Sequence, residues 1–241
     1  MNNTFTFERF LKVLKYDLKM RVPGVATAFV LLLVFVHAVH FMFDLGGPFS
    51  PSAREPLFQA SWMLLSFYAP FAIYSAVGNK HGRSSFLMLP ASAEEKFAGM
   101  FVVSVVVIPF VFFACAYLLD SLIVVLFRDK YVDFLTLEQL DIPLALKCIF
   151  CCVSTAMLGR MLFRKKAVGK TILCVCAGTF VWSYCSAKYI ESGLSSIDNV
   201  DMEALKMQYQ NLFHITQYLY IIISTVLFGL TYWRIKKIQI L

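Results

Sequence analysis

The sequence predicts an all-α, polytopic membrane protein, and three observations support that fold class. First, 59% of the 241 residues are hydrophobic and only 15% are charged, whereas charged residues make up about a quarter of a soluble domain. Second, six stretches are apolar over the roughly 20 residues that a helix needs to cross a hydrocarbon core of about 30 Å. Third, lysine and arginine concentrate in alternate connections between those stretches. A water-soluble globular enzyme and a disordered chain are both excluded.

The first element is an amphipathic helix over residues 5–20, because its apolar and charged residues separate onto two faces. The apolar face carries Phe7, Phe10, Leu11, Leu14 and Leu18, and the other face carries Glu8, Lys12, Lys15 and Lys19. Such a helix lies at the membrane interface, with its lysines near anionic headgroups. It is either a simple anchor or an elbow that is mechanically coupled to the rest of the protein.

The six transmembrane helices are predicted at residues 23–43, 57–77, 98–119, 142–162, 167–187 and 212–233. The third is ambiguous, because apolar residues resume after Asp120 and continue to Phe127. It is either one long tilted helix that bends near Pro109 or a span followed by an interfacial turn. Residues 1–241 are therefore expected to form a single transmembrane domain.

The distribution of charge orients the chain, because short cationic loops stay in the cytoplasm. Six spans return the C-terminus to the side of the N-terminus. Most of the 22 lysines and arginines fall on that side, and most of the 15 acidic residues fall on the other. We therefore expect both termini in the cytoplasm. The formal net charge of +7 follows from this topology, and no nucleic-acid partner is needed to explain it.

Residues 80–96 connect the second and third spans on the cytoplasmic side, and the end of this segment predicts a helix start. Ser92 and Glu95 have the spacing of a capping box, and Glu94 adds a second acid to the first helical turn. Paired glutamates also occur in intramembrane prenyl-protein proteases, but Gly99 stands where those enzymes have an arginine. Capping is therefore the preferred role for this pair.

Before the cap, the same segment carries apolar residues among charges, and Pro90 ends the single helical turn that they can form. An exposed apolar cluster of this kind suits docking onto a partner protein. The candidate docking residues are Arg83, Ser84, Phe86, Leu87, Met88 and Leu89. The alternative is a loop whose apolar residues dip back into lipid.

On the opposite side of the membrane, residues 198–211 are predicted to form a short extracytoplasmic helix that leads into the last span. Leu205, Tyr209 and Leu212 recur at helical spacing. Acidic residues cluster at the start of this stretch, where negative charge stabilises a helix. The helix either caps a translocation path or lies on the surface.

Lys147 is the most deeply placed cation, about five residues inside the fourth span and therefore roughly 8 Å deep at 1.5 Å per residue. It snorkels outward, pairs with Asp120 or Asp141, or lines a path that attracts an anionic substrate. Lys147 and Asp120 are therefore the candidate residues of a substrate path.

Other groups with possible chemistry are weaker candidates. His37, His40 and Asp44 share one helix face near the outer end of the first span, which indicates a metal or proton-linked site at most. The seven cysteines all fall in predicted spans and do not complete a zinc motif, so we expect them to be small buried apolar thiols. Gly169-Lys170-Thr171 resembles the end of a phosphate-binding loop, but Arg164 stands where the first glycine is required. We expect no cofactor on this chain.

Taken together, the layout resembles the permease subunits of type-2 ATP-binding-cassette (ABC) exporters. The local element that carries the resemblance is Leu87-Met88-Leu89-Pro90-Ala91-Ser92-Ala93-Glu94-Glu95-Lys96-Phe97, which looks like the Leu-Pro-x-Ser-x-x-Glu-Lys stretch common in small bacterial permeases of this kind. The resemblance implies a multi-pass protein of the bacterial inner membrane that forms a homodimer or heterodimer. It also implies that two separate ATPase subunits bind ATP and magnesium, that residues 83–89 contact them, and that the substrate path lies between protomers.

Two other classes of function remain open at this point. One is a membrane-embedded enzyme that uses His37, His40 and Asp44, or a lipid-modifying activity. The other is a non-transporting membrane scaffold or an immunity protein. An enzyme is expected to bring several ionisable residues to one depth, whereas here they scatter between the two surfaces. The spans do not choose among peptide, lipid, drug and polysaccharide substrates.

Overall fold

The computed structural model describes residues 5–20, 22–42, 50–75, 91–128, 131, 133–138, 140–163, 165–194 and 202–240. The helices in this part of the chain are α1 (Phe7–Met20), α2 (Pro23–Met42), α3 (Pro51–Ile73), α4 (Ala93–Leu126), α5 (Ile142–Leu162), α6 (Ala167–Leu194) and α7 (Met202–Ile240). These described residues contain no β-strand. The predicted all-α class is confirmed.

Four of the described helices are long and apolar enough to cross a membrane. Their spanning portions are Ala93–Leu126, Ile142–Leu162, Ala167–Ile190 and Gln210–Ile238, and they correspond to the third to sixth predicted spans. The first two predicted spans also fall on helices, α2 and α3, and α2 contains the shorter apolar stretch Val25–Phe35. The protein is an all-helical, multi-pass membrane protein.

The third predicted span is one long helix, the first of the two forms expected from the sequence. α4 continues for 34 residues without a break and passes Asp120. Immediately before Pro109 it contains a wider, π-helical segment, Val102–Val107. Proline has no backbone N–H and its ring crowds the preceding turn, so a wider turn at this point lets the helix continue. The indole N–H of Trp62 donates to the Pro109 carbonyl oxygen at 3.0 Å, which ties α3 to this site.

The last two helices extend beyond their predicted spans. α6 continues past residue 187 to Leu194. α7 is one helix of 39 residues, so the described part of the predicted outer helix 198–211 is continuous with the last span. Since Gly229 is its first glycine and it contains no proline, nothing in the sequence interrupts α7 at the membrane surface. At 1.5 Å per residue it is about 58 Å long, nearly twice the thickness of the hydrocarbon core.

α1 is amphipathic as predicted, and it packs on the bundle as well as presenting an apolar face outward. Phe7, Leu11 and Leu18 are exposed, in keeping with the predicted interfacial face. Val13 and Asp17 are buried against the start of α4. A β-carbon built on Gly99 of α4 would lie 3.2 Å from a methyl carbon of Val13, so a larger residue there would require Val13 to move by a few tenths of an ångström. Of the two roles expected for α1, this packing favours the coupled elbow.

The core is rich in aromatic side chains that join helices distant in sequence. Near the middle of α4, Phe112 packs edge-on against Phe29 of α2 at 5.0 Å, and Phe113 packs against Trp62 of α3 at 4.9 Å. Nearer the start of α4, Phe101 packs edge-on against Phe228 of α7 at 5.1 Å. Inside a membrane, close packing of this kind holds helices together because lipid supplies no hydrophobic driving force between them.

Candidate functional site

The carboxylate of Glu95 is completely buried and is hydrogen-bonded through both of its oxygens. Its Oε2 accepts from the backbone N–H of Ser92 at 2.8 Å, and Ser92 Oγ accepts from the backbone N–H of Glu95 at 3.2 Å. The predicted capping box and the helix start at Ser92 are therefore confirmed. This local pattern satisfies two backbone donors that the first turn of a helix otherwise leaves unpaired.

The second carboxylate oxygen of Glu95, Oε1, contacts residues near the N-terminal end of the chain. Oε1 accepts from the backbone N–H of Thr6 at 2.7 Å and lies 3.2 Å from Nη2 of Arg9. Arg9 also donates through Nε to the Thr6 hydroxyl at 2.6 Å. One carboxylate therefore fixes the start of α1 to the start of α4. Hydrogen bonds to a charged group are stronger than neutral ones, so this junction is firm.

A second junction lies at the end of α3. Nε of Arg160, on α5, donates to the carbonyl oxygen of Tyr74 at 2.9 Å, and Nη2 donates to the carbonyl oxygen of Ser75. Tyr74 is completely buried, and its hydroxyl donates to Oδ2 of Asp17 on α1 at 3.4 Å. The chain thus leaves α3 from a point held by α5 and α1, and it enters α4 at a point held by α1.

The segment between these junctions contains all six predicted docking residues. Arg83, Ser84, Phe86, Leu87, Met88 and Leu89 lie outside the described residues. Its end re-enters the described chain at Ala91, which is buried. The structure therefore defines both attachment points of the segment 76–90, which we name the α3–α4 connection.

At the opposite end of α4, Asp120 forms a buried ion pair. Its Oδ2 accepts from Nη1 of Arg54 at 2.6 Å, and both side chains are nearly inaccessible to solvent. Arg54 also donates to the carbonyl oxygen of Asp133, and its guanidinium lies over the ring of Tyr131. Burial, and secondarily the Asp120 carboxylate, raise the pKa of Tyr131, whose phenol stays neutral. Asp120, a predicted path residue, thus joins α4 to α3.

Lys147, the other predicted path residue, has a different partner. Its Nζ donates to Oε1 of Gln217, on α7, at 2.8 Å, and both residues are partly buried. Of the alternatives expected from the sequence, ion pairing with Asp120 or Asp141 is not the contact that the structure contains. Lys147 and Asp120 therefore belong to separate polar contacts. Gln217 is neutral, so this hydrogen bond leaves the positive charge of Lys147 uncompensated.

The weak metal candidates are not brought into a described site. The side chains of His37 and His40, and the whole of Asp44, lie outside the described residues. Among the residues that are described, no group of three or more His, Cys, Asp and Glu side chains is placed to hold a metal ion. The seven cysteines are free thiols; Cys148, Cys151 and Cys152 are partly buried and the other four are exposed. The expectation that all seven are buried was wrong for Cys115, Cys174, Cys176 and Cys185.

Sequence reasoning missed the cations that complete the two junctions and the buried ion pair. The charge distribution concerns only the two sides of the membrane, so it predicts no partners for Arg9, Arg54 and Arg160. The partners of Arg160 are backbone carbonyls, which carry no sequence signal. Arg54 did carry a signal, since it immediately precedes a predicted span and Asp120 ends another on the same side of the membrane.

Comparisons with known proteins identify no relative of this chain: no family model, no curated protein and no solved structure matches it.

Proposed function

We propose that this protein is the membrane-spanning permease subunit of an ABC exporter. It crosses the bacterial inner membrane six times with both termini in the cytoplasm and forms a homodimer or heterodimer. A separate ATPase subunit binds ATP and magnesium and hydrolyses the nucleotide. The permease itself is not an enzyme, and it changes which side of the substrate path is open.

The observation that carries this proposal is the attachment of the α3–α4 connection at both ends. Arg160 holds its start through the Tyr74 and Ser75 carbonyls, and Glu95 holds the helix that follows its end through Thr6 and Arg9. A segment fixed in this way transmits displacement to the helices on either side. A loosely tethered loop absorbs the displacement instead.

Each junction passes that displacement to a different part of the bundle. At the start of the connection, Arg160 lies on α5, and at its end, Glu95 begins α4, which runs for 34 residues. α1 contacts both junctions through Asp17 and Thr6. Movement of an ATPase docked on residues 83–89 therefore reaches α1, α4 and α5 together. Packed helices switch between discrete arrangements under such a bias because their cores do not deform continuously.

Lys147 is the stronger of the two path residues in this proposal. Arg54 already neutralises Asp120, so Asp120 has a structural partner. Lys147 donates its hydrogen bond to the neutral amide of Gln217, and no ion pair with an acidic residue is found for it among the described residues. A cation within a span attracts an anionic group, which favours an anionic substrate.

Affinity purification in mild detergent tests the proposal. We expect an ATPase to co-purify with the tagged protein at about equal stoichiometry, and we expect Phe86→Asp or Leu87→Asp to abolish the association while insertion is retained. Phe134→Asp is the matched control, because Phe134 is an exposed phenylalanine at the other end of the bundle. Association that survives both connection variants contradicts the docking role. Turnover of a reactant by the purified chain alone contradicts the permease assignment.

A further inference from the structure

An apolar groove of about 590 Å³ lies between α5, α6 and α7. Leu158 of α5, Trp182 of α6, and Leu219, Ile223 and Leu227 of α7 are among the side chains that line it. Its volume falls within the range of about 300–1,000 Å³ that is usual for small-molecule sites. All three helices are candidate spans, so the groove lies within the membrane.

The groove begins next to a close contact between the start of α6 and α5. There, a β-carbon on Gly159 of α5 would collide with the side chain of Thr171, and Ala167 and Thr171 are buried. From residue 172 to residue 185 the side chains of α6 are exposed, with Phe180 76% accessible. The close approach at Gly159 is therefore followed by divergence. The wedge between the helices opens towards lipid.

The narrow end of the wedge carries positive charge. Lys165, Lys166 and Lys170 are exposed there, and the first turn of α6 contains no acidic residue. Nζ of Lys170 lies 5.6 Å from the ring centroid of Phe163, and Phe163 lines the groove. Lys170 is thus directly continuous with the apolar surface. An amphiphile with an anionic head and an apolar chain matches both parts.

We propose that this groove binds an anionic phospholipid, with one acyl chain between α5, α6 and α7 and the phosphate beside Lys165 and Lys170. The leaflet is the one that contacts the turn between α5 and α6, which is the cytoplasmic leaflet in the topology above. The site does not depend on an ATPase partner. The topology of the chain is enough to explain why lysines occur in this turn. It does not explain why an apolar groove begins next to them at Phe163.

Trp182 provides the readout, since it lines the groove about 18 Å along α6 from Lys170 at 1.5 Å per residue. Of the other two tryptophans, Trp62 is buried in the core and Trp233 is exposed, so the assay uses a Trp233→Phe background. The protein is reconstituted in phosphatidylcholine vesicles that contain the same small fraction of either phosphatidylglycerol or phosphatidylcholine brominated towards the end of one acyl chain. Bromine quenches the fluorescence of a tryptophan that it contacts.

We expect brominated phosphatidylglycerol to quench Trp182 at much lower mole fraction than brominated phosphatidylcholine. Lys165→Gln/Lys170→Gln is expected to weaken this preference by about 25-fold, because each of the two cations near an anionic headgroup contributes about fivefold. Lys236→Gln/Lys237→Gln is the matched control, since it removes an equally exposed lysine pair at the end of α7. This control is expected to keep the preference.

A second test fills the groove without changing its charge, and a matched variant adds the same side chain outside the groove. Gly178 lines the groove, and a β-carbon there meets no atom within 4 Å, so Gly178→Leu is expected to fold and to reduce quenching by phosphatidylglycerol. Gly229→Leu, at an equally open glycine of α7 outside the groove, is expected to leave it unchanged. Equal quenching by the two lipids overturns the proposal. An equal loss of the preference for phosphatidylglycerol in Lys165→Gln/Lys170→Gln and in Lys236→Gln/Lys237→Gln also overturns it. The proposal is also overturned if neither lipid quenches Trp182 and two copies of the protein cross-link through α6, because a second chain then covers the groove.

Discussion

Nη1 of Arg54 donates to Oδ2 of Asp120 at 2.6 Å although 66 residues separate them, and both side chains are buried. The pair joins the start of α3 to the last two turns of α4. Two opposite charges in a medium of low dielectric attract strongly, but removal of either leaves the other buried and uncompensated. This contact is therefore a sensitive point in the stability of the bundle.

We expect Arg54→Met to lower the free energy of unfolding by about 3–5 kcal/mol, since it leaves the Asp120 carboxylate buried without its cation. Thermal unfolding in detergent measures the effect. Glu55→Gln is the control, because Glu55 is the adjacent acid and pairs only locally with Gln59 among the described residues. Arg54→Met/Asp120→Leu is expected to recover most of the loss. A double variant as unstable as the sum of both single variants argues against the ion pair.

Replacement of Glu95 by alanine is expected to release α1 from α4. The substitution removes the capping box and the contacts to Thr6 and Arg9, and we expect a loss of about 2–3 kcal/mol from these charge-assisted hydrogen bonds. Hydrogen exchange of α1 amides reports the release directly. Glu94→Ala is the matched control, because Glu94 is the neighbouring acid and is exposed. Equal exchange in α1 for both variants contradicts a role for Glu95 in joining the helices.

The crossing of α5 and α6 is expected to fail when Gly159 gains a methyl group. A β-carbon there overlaps Oγ1, Cγ2 and Cβ of Thr171, and overpacking of this kind costs about 1–3 kcal/mol. Thermal unfolding of Gly159→Ala checks this value against Gly178→Ala, whose new methyl group meets open space. Thr171→Ala is expected to rescue part of the loss by removing two of the three colliding atoms. If Gly159→Ala and Gly178→Ala are equally stable, the close crossing is wrong.

Lys147→Met separates stability from transport. The hydrogen bond to Gln217 is between partly buried groups, so we expect its loss to lower stability by only about 1 kcal/mol. Transport of an anionic cargo in reconstituted vesicles is expected to fall, because the positive charge is lost. Gln217→Leu, which breaks the same hydrogen bond but keeps the lysine, is expected to retain transport. Unaltered transport of an anionic cargo by Lys147→Met removes Lys147 from the path.

Periodicity and hydropathy predict the helices well, since they depend on neighbours in the chain. The bounds predicted for the fourth span, 142–162, are those of α5, because Pro143 and the polar residues beyond position 163 mark both ends. The capping box is equally predictable from the sequence, because its two members, Ser92 and Glu95, are three residues apart. The length of α7 is harder to predict. The predicted outer helix and the last span form one helix because the sequence contains no residue that divides them.

The sequence does not predict which residues that are far apart along the chain contact each other. The sequence correctly predicts that Glu95 caps a helix. It does not predict that the second carboxylate oxygen contacts Thr6 and Arg9, which are 86 or more residues away. Lys147 had three possible roles, and the position of α7 made Gln217 its partner. The groove beside Phe163 depends on the angle at which α6 leaves Gly159, and no local pattern encodes that angle.

The sequence by itself determined that this is a helical membrane protein, because hydropathy and the need to satisfy backbone groups in lipid leave no other fold for such a chain. It also determined where α2, α4, α5 and α6 begin and that α1 is amphipathic, since these features follow from local spacing. Only the tertiary structure decided which charges meet. Ion pairs such as Arg54 with Asp120 form where packing brings helices together, and packing depends on the shapes of many side chains at once.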